Sequence, residues 1–164
     1  MFRELKRINQ KLDNDECIEI LTNGKRGVLS VIGDNDYPYC FPMNYYYNKD
    51  DNAIYFHSGK KGHKIDSIIK NNKVSFCVYT KGKKDNELLD WAYTIKSIIV
   101  FGNIEIIDNI DVNNNKLLQV IKDLCYKFTK DDNYIEKEIK DSLKNTILLK
   151  LNIENICGKR VLEA

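Results

Sequence analysis

Apolar and polar residues alternate along several short runs of this chain and recur at three- and four-residue intervals in others. Residues 26–32 (RGVLSVI) read as a strand, and GDND after them as its turn. Residues 38–47 (PYCFPMNYYY) are aromatic and extended, residues 48–52 form a turn, and residues 53–57 (AIYFH) make a third strand. The pattern predicts that these three strands form a meander. Residues 73–80 (KVSFCVYT) alternate as a strand and lead into the polar loop KGKKDNE. Residues 94–107 form a long strand, in which Gly102 predicts a bulge or sharp bend. Residues 146–153 (TILLKLNI) are the last strand, followed by a tail.

Helical spacing predicts a helix in the opening segment and a short one over 15–21, where Ile18 and Leu21 share a face and Asn23-Gly24 supplies a stop. A helix over 61–70 carries Ile65, Ile68 and Ile69 at helical intervals. A longer helix over 112–128 is followed by a short one over 134–143. Six short strands with one helix inserted mid-sheet and one late predict a mainly β domain, an antiparallel barrel with added helices. A doubly wound sheet would need regular strand–helix alternation, which the first three strands lack.

Composition narrows the class. With 164 residues, the chain suits a single domain over 1–164. Hydrophobic residues at 43% and charged residues at 30% exclude disorder as the main state. No apolar run is long enough for a membrane span, and the charged N-terminus has no apolar core of a secretory signal. A cytoplasmic protein with no membrane partner is expected. The five cysteines (Cys17, Cys40, Cys77, Cys125, Cys157) are odd in number and widely spaced, and no C-x-x-C occurs. Reduced, mostly buried thiols are expected, and no metal site. A net charge of +2 argues against nucleic acid as a partner, and no dinucleotide or P-loop glycine motif is present.

Charge is nevertheless uneven. Between residues 58 and 84 stand eight lysines and one acid, Asp66. The cluster begins in YFHSGKKGHKID (residues 55–66), where a strand ends at His57, a Ser-Gly corner follows and a helix opens near Lys61. Helix N-termini favour anions, yet Lys60, Lys61, His63 and Lys64 crowd this one. A docked phosphate would reverse that cost, with Ser58 donating, Gly59 and Gly62 admitting close approach, and Lys64 supplying charge. A solvated lysine cluster with Ser58 as N-cap fits equally well. The second stretch is Phe41-Pro42-Met43-Asn44-Tyr45. A proline inside a strand frees neighbouring backbone groups to meet a planar, amide-rich heterocycle, or else protects a sheet edge.

The series GVLSVI (27–32), PYCFPMNY (38–45), YFHSGKKGHKID (55–66) and KSIIVFGNIE (96–105) resembles the FMN-binding split-barrel superfamily. Within it, the chain is most similar to the nitroimidazole-resistance (Nim-type) branch of pyridoxamine 5′-phosphate oxidase-related proteins. Order and spacing match from about residue 15 through 102, and GKR at 158–160 also fits. The resemblance implies a six-stranded antiparallel split β-barrel and a homodimer with two FMN molecules at its interface. It implies that the FMN phosphate lies near Ser58, Lys61, Gly62 and Lys64, and the ring against Pro42, Met43, Asn44 and Tyr45. Lys96 and Ser97 stand where the family often has Arg-Ser. The lysine keeps the charge and loses the planar fork.

Two classes of function follow. The first is an FMN-dependent oxidoreductase reducing a small planar acceptor, such as a nitroaromatic, with electrons from NAD(P)H or another reductant. In it His57, which titrates near neutrality, contacts the cofactor and either supplies a proton or is simply hydrogen-bonded and structural at the strand end. The second is a non-enzymatic flavin- or haem-binding module. A deazaflavin enzyme would use a similar barrel. A true pyridoxamine 5′-phosphate oxidase would need an arginine- and histidine-rich clamp, for which the four arginines (Arg3, Arg7, Arg26, Arg160) offer no match.

Overall fold

Alternation over RGVLSVI produces β1 (Arg26–Ile32), which buries Gly27, Leu29 and Val31 and turns Val28 and Ser30 outward. It pairs antiparallel with β2 (Pro38–Asn44) through a tight turn in which Asn35 and Asp36 take positive φ. The remaining strands are β3 (Tyr46–Asn48), β4 (Ala53–Gly59), β5 (Lys73–Tyr79), β6 (Lys83–Lys84), β7 (Tyr93–Ile107) and β8 (Thr146–Leu162). Among the described residues four helices accompany them: α1 (Asn14–Asn23), α2 (His63–Lys70), α3 (Asn115–Tyr126) and α4 (Asp132–Ser142). The structure is a computed structural model and describes residues 2–84, 93–108 and 115–162. The last part of the expected KGKKDNE loop and the first turn of the helix expected over 112–128 lie outside the described residues.

All strand pairs are antiparallel, and the sheet runs β2-β1-β5-β7-β8-β4-β3, with β6 on β7. It curls into a half-barrel, the split-barrel architecture, because β2 and β3 stand at opposite ends of the sheet yet are joined through the single residue Tyr45. The expected meander keeps both of its pairings but is broken at Tyr45. β1 pairs with β2 and β3 with β4, but Tyr45 turns the chain between the two hairpins. Among the described residues eight strands replace the six expected, since β3 separates from β2 and the two-residue β6 adds a short edge.

Two other expectations change. The opening segment is not an α-helix: only Ile8–Gln10 make a single tight turn. The chain is instead drawn along β8, where the Leu12 amide donates to the Gly158 carbonyl and Lys11 bridges Lys159. The tail expected after residue 153 continues β8 to Leu162, because β7 is long enough to pair with it throughout. The bulge at Gly102 is present as a register shift beside Phe101, and a side chain there would collide with the Asn152 backbone carbonyl.

The main core fills the curled sheet and the seats of α1 and α2, with Leu21, Leu29, Tyr45, Phe56 and Phe76 fully buried. A second cluster lies on the outer face, where Val120 of α3 covers Ala53, Tyr55 and Leu148. All five cysteines are free thiols; Cys17 is buried, three are half-buried, and Cys40 is exposed rather than buried as expected. Among the described residues, no helix is long and apolar enough to cross a membrane.

Candidate functional site

Because the sheet curls without closing, its two ends leave a seam between β2 and β4. β2 is an end strand, so one of its edges has no strand partner among the described residues. β4 pairs with the short β3 only over Ala53, Ile54 and Tyr55, which leaves His57, Ser58 and Gly59 unpaired on that side. The seam opens as a groove of about 450 Å³ lined by Arg26, Pro42, Met43, Asn44, His57, Ser58, Gly59 and Lys64. Pro42 thus sits on a sheet edge, and that edge is also a wall of the groove.

The polar groups converge. Ser58 is nearly buried, and its hydroxyl donates to the Gly59 carbonyl at 3.1 Å. It does not cap α2, whose N-cap is Gly62 at φ 118°, with no side chain on the first amides. The helix starts at His63, so Lys60 and Lys61 precede it. Gly59 faces open space, leaving its backbone approachable. Lys64 projects from the first turn of α2 across the groove, with its ammonium 3.7 Å from the Met43 sulfur and 5.4 Å from the centre of the Phe41 ring. Burial lowers the pKa of Lys64. Arg26 donates from Nε to Asn44 Oδ1 at 2.9 Å.

Several cations near the groove are already paired. Lys60 meets Asp108 at 2.8 Å, His63 lies 3.5 Å from Asp34, and Lys96 and Arg160 both hold Glu16 at 2.6 Å. Arg26 and Lys64 have no carboxylate partner among the described residues. Two positive side chains without a counter-anion among the described residues face one cleft, an arrangement that favours an anion.

His57 points the other way. Alternation along β4 sends Ser58 inward and His57 to the outer face, where its ring forms one wall of the groove and one wall of a second cavity under α3 and α4. Although part of its surface stays open, burial first and the Lys64 charge second hold its pKa below the ordinary 6.5. The imidazole is therefore neutral at pH 7.

Of the residues expected at the site, Pro42, Met43, Asn44, His57, Ser58 and Lys64 meet in the groove. Lys61 and Gly62 are exposed beside it and do not line it. Tyr45 is turned into the core, where its hydroxyl donates to the Leu21 carbonyl at 2.9 Å and its ring meets Phe76 edge-on. Lys96 and Ser97 lie elsewhere on the same chain. Lys96 pairs with Arg160 while Ser58 pairs with Ile147, 13 residues away on β8. That is about 40 Å along the strand. Arg26 was missed by sequence reasoning. Its signal was the register of the β1–β2 hairpin, which sets Arg26 opposite Asn44.

The sequence model of the pyridoxamine 5′-phosphate oxidase family matches residues 13–160. The chain belongs to this family. Solved structures share the family fold at low identity. A candidate 5-nitroimidazole antibiotic resistance protein from Bacteroides thetaiotaomicron is 21% identical with a TM-score of 0.70, over 92% of this chain and 86% of that one. An FAD-binding protein from Mesorhizobium loti is 23% identical with a TM-score of 0.66, over 93% and 97%. A haem storage protein from Vibrio cholerae is 16% identical with a TM-score of 0.60, over 89% and 94%. No curated protein matches the sequence.

Proposed function

We propose that the seam groove binds FMN and that the protein is an FMN-dependent oxidoreductase for a small planar acceptor, in the manner of a nitroimidazole reductase. The carrying observation is the pair Arg26 and Lys64, two cations without a carboxylate partner among the described residues, beside Ser58 and the open backbone of Gly59. A phosphate would satisfy both charges and accept from the Ser58 hydroxyl. The unpaired edges of β2 and β4 offer backbone N–H and C=O groups to the amide-rich edge of the flavin ring, while Pro42 and Met43 give it an apolar surface. Flavin, once bound, supplies the electron chemistry; the chain binds, orients and shields it.

The reading includes a homodimer. On the outer face, directly opposed residues form a row across five strands: Pro42, Val28, Cys77, Ile99 and Cys157. Ile99 is 41% exposed and nearby Tyr79 is 65% exposed. The row ends at Pro42, on the lip of the groove. A second copy packed on this face by two-fold symmetry would cover the apolar row and close the groove's open side. Any contact of Ser97 with that flavin would come from the second copy. The interface does not use Tyr45 and Tyr47, which are buried within one chain.

The test is the absorbance spectrum of the purified protein with mass identification of the released chromophore, followed by anaerobic reoxidation of the reduced protein by a nitroimidazole. FMN and reoxidation faster than that of free FMN support the reading. A deazaflavin, a haem, or equal rates for free and bound FMN contradict it.

A further inference from the structure

On the far side of His57 lies a cavity of about 280 Å³, separate from the groove. It is roofed by the α3–α4 pair and floored by β8, with Ile121, Leu124, Ile139 and Leu148 supplying an apolar lining. Its polar groups are few. Thr146 already donates its hydroxyl to the Ser142 carbonyl at 2.9 Å. Burial, with Glu138 adding, raises the Cys125 pKa, so it stays a neutral thiol. Among the described lining residues Glu138 is the only charged one, and no lysine or arginine is present.

The geometry points to a second ligand site, one that takes a neutral aromatic molecule of one or two rings between α3, α4 and His57. The volume falls just under the roughly 300–1,000 Å³ of drug-sized pockets, enough for a bicyclic ring and too little for a whole flavin. Flat aliphatic walls suit an aromatic face, and the His57 imidazole offers one hydrogen bond at the inner end. The Glu138 carboxylate disfavours anions, the reverse of the groove, where Arg26 and Lys64 favour them. One histidine therefore divides an anion site from a neutral-ring site, and strand alternation between His57 and Ser58 creates the division. The existence of this site does not depend on the flavin reading.

The experiment is methyl NMR on the full chain, without flavin, titrated with indole and separately with indole-3-carboxylate. Indole should shift the methyl signals of Ile121, Leu124 and Ile139 saturably, and the carboxylate should bind at least about tenfold more weakly. Ile139→Trp should fill the cavity and abolish the indole shifts. Glu138→Gln, at an exposed helix position, should strengthen carboxylate binding and leave indole unchanged. Lys64→Ala should leave indole affinity intact, so failure of the groove and failure of the cavity are read apart. Absence of saturable indole shifts, equal binding of the two probes, unchanged binding in folded Ile139→Trp, or tenfold loss in Lys64→Ala would each overturn the site.

Discussion

The Lys64 ammonium sits 3.7 Å from the sulfur of Met43, and with that contact the first turn of α2 meets the proline-bearing strand β2 across the seam of the barrel. Sulfur is a weak acceptor that does not neutralise an ammonium. Burial lowers the Lys64 pKa, and no carboxylate among the described residues answers it. An anion drawn into the groove would restore the ordinary preference for the charged form.

His57 reports on that charge. Its folded pKa lies below 6.5, so between the folded value and 6.5 the folded chain binds fewer protons than the unfolded chain. Its contribution to stability is complete above pH 6.5 and is lost as pH falls through the folded value. An NMR titration should give a midpoint below 6.5 that rises in Lys64→Ala. A midpoint unmoved by that substitution would remove Lys64 from the electrostatics of the ring.

Tyr45 tests the division between core and site. Its hydroxyl satisfies the Leu21 carbonyl at the end of α1, and burial raises its pKa. Tyr45→Phe should cost about 1–3 kcal/mol of stability by leaving a buried acceptor unpaired. FMN affinity should be unchanged. Denaturant unfolding and a flavin titration on the same variant check both halves.

The strands and helices around the site were legible because alternation and helical spacing speak for single elements. β1, β5 and α2 are found within two residues of expectation. Their arrangement was not, because pairing is a long-range property. Nothing local in PYCFPMNYYY reveals that Tyr45 is a turn point and a core residue, or that the two hairpins part there. For the same reason the motif SGKKGHK was readable as an anion candidate, while Arg26, three elements earlier, entered the groove only through the hairpin register. Lys61 fits a helix-end phosphate site on paper, but the helix starts at His63.

In the proposed dimer the outer-face row is the contact surface. Ile99→Lys puts a charge within it, between Cys77 and Cys157. Sedimentation of the native protein at micromolar concentration should give about twice 19.2 kDa, and the variant the monomer mass. A native monomer that holds FMN tightly would contradict the dimer, and an unaffected dimer would move the interface elsewhere.

Lys127 is a separate probe of packing. Its ammonium donates to the Thr22 carbonyl at 3.2 Å and to the Gly24 carbonyl, beside the Tyr45 ring. Burial and then Lys25 push its pKa down to about 8 from 10.5. The folded state sheds the proton first, so stability should rise as pH climbs from about 8 towards 10.5. Lys127→Met should flatten that rise, as read from unfolding midpoints; an identical slope in both proteins would contradict the shift.

The most direct measurement compares FMN with riboflavin, which differ by the phosphate alone, on the native protein and on Arg26→Ala and Lys64→Ala. Native protein should favour FMN by about 1–3 kcal/mol, a factor of about 5 to 150, and each substitution should shrink that preference. Equal affinities for the two flavins, or a preference for FMN that survives both substitutions intact, would contradict a phosphate held between Arg26, Ser58 and Lys64.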